Sequence, residues 1–529
     1  MVEREFFEGI KNDKNIVIYG AKVIAKTLIK RMKYIGIFPK AVVVSDKSKN
    51  EMGIEGYLVK NLDEIENIPG CTFIIAVSEK FVDELKDLLT KKGAQNILVF
   101  TNELYIEAVN NNTINYDNAN IDGQTREILL QYNNHNYDKV ERLRTKIKAD
   151  KKLKVMFLLS TTSQFCSESI YHEMEKSEYF EPVIGLALVW SYGIKDIGNK
   201  NFDRDYKELT NKNFSVVKID SLTAIDDYSP DIIIYHSHYL DIGNSYVNYE
   251  LINYRYLTCY IAYGMEVVNN PKYHFNDFYI NSSWINFVPT DAAYKSNQEY
   301  SLTKGINVVS LGYPKIDNYK TSKLKERDPR KIVIISPHWS IRTGINFSTF
   351  ERYFKLFEEL RDTHRELFFV FKPHPSLGYR IKNIEDSNEK PQITYNEYVE
   401  YCKRWNEAEN STYLEGTNYI EWFNESTCLI TDCGSFIAEY LPSGQPCIYL
   451  FNPDLPNQMD SYYEIGQDIL NSYYICNSAD EIKNTFDEVL NRGNDYKKEQ
   501  REEVLNRYFK NIGTAGKKIY EYILQQLID

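Results

Sequence analysis

Leu429–Ile430–Thr431–Asp432–Cys433–Gly434–Ser435–Phe436–Ile437–Ala438–Glu439 is the stretch on which the reading of the chain turns. The apolar run Thr427–Ile430 has the character of a short buried strand, and Phe436–Tyr440 continues as a helix. A strand feeding a helix through small residues leaves backbone N–H groups and the positive end of a helix dipole at the turn. That combination binds phosphate, and Ser435 stands where a hydroxyl either caps the helix or bonds a phosphate oxygen. Glu439 lies one turn further along the same face, placed to accept hydrogen bonds from a sugar or polyol. An ordinary βα turn with a capping serine fits the same residues, so both readings remain open at this point.

Outward from this turn, strand-like runs at 331–336, 367–371, 412–414, 427–430 and 446–450 alternate with helical segments, and helices over 479–492 and 495–527 complete the chain. Alternation of this kind predicts a parallel α/β unit. A second such unit precedes it, with strands at 153–159, 182–189, 215–219, 232–235 and 257–262. Its strand-end loops carry Ser160 and Thr161, His236 and His238, and Tyr263, Gly264 and Glu266. A third and smaller unit opens the sequence, with strands at 15–19, 41–45, 73–77 and 96–100. Its first turn, Gly20–Ala25, has the outline of a dinucleotide fingerprint, and Asp46 lies where a ribose-binding acid would stand. Lys22 occupies the position where bare backbone must approach a pyrophosphate, which reads as a degenerate, non-binding version of the fold. The resulting division is 1–105 for the small Rossmann-like domain, 106–150 for a polar linker and helix, 151–322 for an acceptor-side domain and 323–529 for a donor-side domain.

A chain of 529 residues is long enough for about three domains. The net charge of −12 argues against a general nucleic-acid surface. The eight cysteines show neither CxxC spacing nor a Cys/His cluster, so buried thiols in a reducing compartment are expected, without a zinc site or a disulfide framework. A charged N-terminus and the lack of a long apolar run point to a cytoplasmic protein, peripheral at most to the inner face of the cell membrane.

Lys372–Pro373–His374–Pro375 follows the 367–371 run directly. The prolines stiffen the loop and fix a lysine and a histidine at a strand end, where α/β sheets bind ligands. Lys372 is suited to phosphate charge, and His374 to a phosphate oxygen or a leaving group. A turn with a solvated lysine and a capping histidine is the plainer alternative. Ser336–Pro337–His338–Trp339 also follows a strand, with Arg342 close behind as a phosphate partner. His236 and His238 share one side of an extended segment, which suits acid–base work on an acceptor better than a metal.

Gly312–Tyr313–Pro314–Lys315–Ile316–Asp317, Ser336–Trp339, Lys372–Pro375 and Ile430–Ser435 occur in an order and spacing that resemble the CDP-glycerol glycerophosphotransferase family, the teichoic-acid primases and polymerases. The likeness covers roughly 250–480, and the ordered set is more specific than any one motif. It implies an α/β fold with a glycosyltransferase B-like pair of Rossmann-like domains, here preceded by the small N-terminal one. It implies transfer of a polyol phosphate from a CDP-activated donor to a hydroxyl of a glycan or lipid-linked acceptor, with no metal and no other cofactor. A membrane surface is among the candidate partners, and nucleic acid is not. By matching position, His374 would contact the donor diphosphate, Gly434 and Ser435 would hold phosphate, and Glu439 would meet the polyol. Lys372, His338, Arg342 and Asp432 complete the expected donor-binding set.

Three departures bear on the chemistry. Tyr263 stands where the family's Trp-His-Gly-Thr-Pro places the histidine thought to act as base, and an ordinary tyrosine titrates near ~10, too high for a base at neutral pH. Glu266, His236 and His238 are the candidates to replace it. Trp339 is followed by Ser340 rather than arginine, and Gly434 and Glu439 stand for serine and aspartate. A sugar transferase using a UDP- or CMP-activated donor, and a non-catalytic glycan-binding or scaffold protein, are the competing readings.

Overall fold

Strands that are apolar on both faces must be covered on both faces, and that requirement sets the architecture. In the computed structural model, β1 (Ile16–Tyr19), β2 (Ala41–Val44), β3 (Gly53–Ile54), β4 (Tyr57–Asn61), β5 (Thr72–Ile75) and β6 (Asn96–Val99) form a sheet of order β3-β4-β2-β1-β5-β6. It is parallel except for the short β3–β4 pair. The structure describes residues 2–47, 53–55, 57–105, 108, 119–189, 195–221, 223–237, 247, 249–317, 319, 323–324, 328–387, 389–415 and 419–528.

The second sheet contains β7 (Leu153–Leu159), β8 (Phe180–Ala187), β9 (Val216–Ile219), β10 (Ile232–Tyr235), β11 (Leu257–Ile261), β12 (Ile285–Val288) and β13 (Val308–Ser310). Its order is β13-β12-β11-β10-β7-β8-β9, with every pairing parallel. The third contains β14 (Lys331–Ser336), β15 (Leu367–Phe371), β16 (Ser411–Tyr413), β17 (Ser426–Thr431), β18 (Cys447–Leu450) and β19 (Tyr474–Cys476). Its order, β16-β15-β14-β17-β18-β19, is the doubly wound one, and its pairings are likewise all parallel. The chain reverses direction between β14 and β17, so a crevice opens beyond their carboxyl ends. The expected pair of Rossmann-like domains behind a smaller one is therefore the observed fold.

The two larger units meet through their strand-end loops. Val268, after β11, forms an isolated bridge with Tyr462, after β18. The Asn269 N–H donates to the Ser461 carbonyl at 2.8 Å, and the Tyr463 N–H to that of Val267 at 2.9 Å. One apolar cluster runs through Met265 and Val267 into Ile437, Ala438 and Tyr462. This facing arrangement is that of the glycosyltransferase B plan.

One boundary differs from the sequence-based division. Helix Ala515–Ile528 was expected to close the donor-side unit, but it packs back on the acceptor-side one. Asp317 caps its start, accepting the N–H groups of Ala515 at 2.9 Å and Gly516 at 2.7 Å. Farther along it, Tyr520 donates to Ser177 and the Gln526 carbonyl accepts from Arg144. Gly312 lies against the same segment with φ +99°, where a Cβ would sit 2.5 Å from the Lys510 carbonyl oxygen. The glycine and aspartate of the 312–317 motif thus do architectural work.

In the N-terminal domain the helix Val23–Tyr34 has Lys22 at its N-cap, exposed and without a side-chain cap bond. Gly20 has φ +134°, and a Cβ there would meet the Ala76 carbonyl oxygen at 2.5 Å. Helix Ala119–Lys148 joins this domain to the next, with Lys139 bonded to Asn136 and to the carbonyls of Asn253 and Tyr256. No helix among the described residues is long and apolar enough to cross a membrane.

Candidate functional site

Strands β14, β15 and β17 run through apolar residues (Ile332–Ile335, Leu367–Phe371 and Cys428–Ile430) and then turn polar, which places Ser336–His338, Lys372–His374 and Asp432–Ser435 side by side at one sheet end. Asp432 organises this edge. Its buried carboxylate accepts the N–H of His338 and both the N–H and hydroxyl of Thr349, at the entry to helix Phe350–Thr363. Burial raises it from the ordinary aspartate value of 3.8 to about 6. Asp432 is among the residues expected to bind the donor. The structure corrects this, because these three bonds already occupy its carboxylate and its task is to hold the His338 loop.

His338 and His374 face each other with ring centroids 5.5 Å apart. In His338, Nδ1 accepts from the Ser340 N–H at 3.3 Å and lies 2.8 Å from the Ser340 hydroxyl. In His374, Nδ1 accepts from the Ser376 N–H at 3.1 Å. An Nδ1 that accepts leaves the proton on Nε2. Burial pushes His338 down to about 4. Burial, with His338 and Lys372 nearby, pushes His374 to about 3. Both rings are thus neutral N–H donors near pH 7.

Lys372 is buried, its ammonium 4.7 Å from the centroid of the Tyr419 ring and 5.0 Å from that of Phe436. No hydrogen-bond acceptor among the described residues takes it. Burial lowers it to about 8, so it is charged at neutral pH. Beside it, Glu439 receives bonds from Lys315 at 2.9 Å, Tyr313 at 3.3 Å and the Tyr419 hydroxyl. Lys315 also donates to the Tyr419 oxygen at 2.6 Å and the Tyr263 carbonyl at 3.2 Å. The ion pair is almost wholly enclosed, with side-chain exposures of 10% for Lys315 and 2% for Glu439. Tyr313 and Lys315 belong to the acceptor-side unit and Tyr419 and Glu439 to the donor-side unit, so this network spans the cleft. It engages both carboxylate oxygens of Glu439, which was expected to be open to a polyol.

Helix Gly434–Tyr440 starts without a side-chain cap. Ser435 lies 3.4 Å from the Cys433 sulfur rather than capping the turn. A Cβ on Gly434 would stand 2.9 Å from a Val268 methyl, which gives a packing reason for glycine at this position.

On the acceptor side, His236 is fully buried. Its Nδ1 is 3.0 Å from the Ile261 carbonyl oxygen and its Nε2 is 2.9 Å from the Ser167 hydroxyl. Burial takes it to about 4. With both ring nitrogens engaged it ties the ends of β10 and β11 to the start of helix Glu168–Glu175, after β7, which corrects its expected role as base. His238 lies outside the described residues. Ser160 is occupied with Gln164 at 2.8 Å, and Thr161 precedes the short helical turn Thr162–Gln164. Arg342 is exposed at φ +51° and paired with Glu351 and Glu389, so its charge is neutralised locally.

Glu266 keeps its candidacy. It sits in the loop 263–268, with Gly264 on the same loop and Tyr263 37% exposed at its start. One carboxylate oxygen of Glu266 is buried without a hydrogen-bond partner among the described residues, and burial raises the group to about 7. Tyr313, Lys315 and Tyr419 were missed as site residues. The first two lie inside a quoted motif, but nothing local marks a tyrosine as the partner of a distant glutamate. All eight cysteines are buried thiols. An open recess of about 550 Å³ lined by Arg330, Lys331, Glu366 and Asn491 lies at the opposite, amino end of the third sheet.

No protein-family model matches the chain, and no curated protein matches it. Among solved structures, the wall teichoic acid polymerase TagF is similar at 16% identity over 74% of this chain and 97% of that one, with a TM-score of 0.48. UDP-GlcNAc 2-epimerase from Neisseria meningitidis, bound to UDP-GlcNAc, is similar at 16% identity over 70% of this chain and 100% of that one, with a TM-score of 0.42. MnaA of S. aureus with UDP is similar at 15% identity over 71% and 98%, with a TM-score of 0.43. The architecture of this chain rests on its own sheet orders: two facing Rossmann-like domains of the glycosyltransferase B kind, with a third before them.

Proposed function

We propose that the chain is a transferase that moves a glycerol phosphate or a related phospho-polyol from a CDP-activated donor to a hydroxyl of a cell-surface glycan or teichoic-acid-like polymer. The observation that carries this reading is Lys372, a buried ammonium against the faces of Tyr419 and Phe436 that no hydrogen-bond acceptor among the described residues takes, two residues before the neutral N–H donor His374, which is paired with His338. Such a group is matched to a diphosphate, whose oxygens accept charge-assisted bonds. The ordered motifs around it supply the donor class.

In this reading Glu266 takes the proton from the acceptor hydroxyl. The acceptor oxygen bonds to the phosphorus that carries the polyol, the bridging P–O bond breaks, and CMP leaves with the electron pair. Lys372, His374 and His338 stabilise the charge that develops on the phosphates, so the chain's own cation and donors do this work without a metal. Lys372 attracts and the imidazoles orient, while Glu266, raised to about 7, is matched to proton transfer near neutral pH. The reaction is set at the cytoplasmic face of the membrane, where a lipid-linked acceptor presents its hydroxyl.

Calorimetry with CDP-glycerol tests the reading. Binding to the wild type that is lost in Lys372→Ala and in His374→Ala supports it, and unchanged affinity in both variants overturns it. Thermal stabilisation by UDP and not by CDP assigns the same pocket to a sugar nucleotide instead.

A further inference from the structure

The loop that carries Glu266 is tethered at both ends, and each tether reaches toward the donor-side unit. At its far end the Val267 carbonyl accepts from Tyr463, and the Asn269 N–H donates to Ser461. At its near end the Tyr263 carbonyl accepts from Tyr313 at 2.6 Å and from Lys315 at 3.2 Å. The three ammonium hydrogens of Lys315 have three acceptors: the Tyr263 carbonyl, the Tyr419 oxygen and Glu439. The Tyr419 hydroxyl donates its own hydrogen bond to the second oxygen of Glu439. The near tether is therefore a closed circuit between the base-bearing loop and a carboxylate of the other domain.

We propose that Lys315 is a positioning residue which, by binding the Tyr263 carbonyl and Glu439 together, sets where Glu266 stands relative to the donor-side groups. This rests on Glu266 acting as the base in the function proposed above. An ion pair enclosed this fully has little to gain from solvent and much to lose if one partner is removed. It suits a joint with one productive geometry better than a surface contact. Tyr313 and the His236 carbonyl hold Tyr263 to its own unit, and Lys315 is the near-side bond that ties the loop to Glu439 of the other unit. Lys315 does not itself touch the donor, since its three hydrogens are already taken.

The full-length chain carrying Lys315→Met, which keeps the stem and removes the charge, is compared with Lys315→Arg. Backbone hydrogen exchange over 263–268 is expected to quicken about tenfold in Lys315→Met, a local opening that leaves β7 unchanged. Unchanged exchange there overturns the proposal. With CDP-glycerol, the maximal rate of CMP release is expected to fall about 10²-fold, the scale of a misplaced catalytic group, while donor KM holds. The acid limb of that rate, near pH 7 in the wild type, is expected to move toward the ordinary glutamate value as Glu266 regains water. Lys315→Arg is expected to restore most of the rate. A loss of donor affinity that matches the loss of rate makes Lys315 a donor ligand and overturns the proposal. Should Lys315→Met fail to fold, Glu439→Gln removes the charge that holds Lys315 across the cleft, and unchanged exchange over 263–268 in that variant overturns the proposal. The exchange arm uses no donor, so it stands or falls independently of whether the wild type releases CMP from CDP-glycerol.

Discussion

The imidazoles of His338 and His374 stand edge to face, 5.5 Å between centroids, each with its Nδ1 turned inward to accept a backbone N–H two residues on. Two histidines locked in the same tautomer form a pair of fixed donors rather than a proton relay. Their low pKa values, about 4 and about 3, keep them uncharged through the physiological range.

The pH dependence of donor affinity should therefore follow Lys372 and not the histidines. Lys372 is charged below about 8 and loses its proton above it. CDP-glycerol affinity measured by calorimetry should be flat from pH 6 to 7.5 and weaken as pH rises through and beyond about 8. Lys372→Met should bind weakly at every pH and show no such decline. A wild-type profile that instead weakens between pH 5 and 7 would assign the dependence to a histidine.

Glu266→Gln should lower turnover by about 10²–10⁴-fold, the range of a lost general base, with donor affinity unchanged. The wild-type rate should rise with pH through about 7 as the carboxyl ionises, and that limb should be missing from the variant. Full activity in Glu266→Gln would move the base elsewhere.

Asp432→Ala leaves the N–H groups of His338 and Thr349 and the Thr349 hydroxyl without their acceptor. A cost of about 3 kcal/mol is expected, since each buried orphan is worth about 1–3 kcal/mol. Urea unfolding at pH 7 reads it. The sign of the pH dependence also follows. A carboxyl raised from 3.8 to about 6 on folding makes the native state bind the extra proton, so its contribution to stability falls as pH rises across that window. This slope should vanish in the alanine variant.

Gly434→Ser should destabilise by about 1–3 kcal/mol through overpacking against Val268. Adding Val268→Ala should recover most of the loss. A double-mutant cycle on thermal unfolding measures the coupling, and strict additivity would refute it.

Much of the fold could be read from the sequence because buried parallel strands are nearly continuous apolar runs, as in β1, β7, β14 and β17. The elements that escaped were short or polar: β3 and β4, β12 with its central Asn286, β13 and β19. The site was half legible. Lys372, His338 and His374 announce themselves by following strands directly. His236 follows a strand too, yet bonds on both ring nitrogens make it structural, and no local pattern records a partner on another strand. Lys315 and Tyr419 stayed hidden for the same reason. Their meaning lies in Glu439, reached only when two domains close on each other.

The return of helix Ala515–Ile528 to the acceptor-side unit has a consequence for biosynthesis. Strand β7 is made early, but the helix that covers its sheet and is capped by Asp317 is made only after the whole donor-side unit. The donor-side unit can reach its native packing while still emerging from the ribosome, whereas the acceptor-side unit must wait with an apolar flank uncovered. Synthesis therefore completes the two halves in the reverse of their order along the chain.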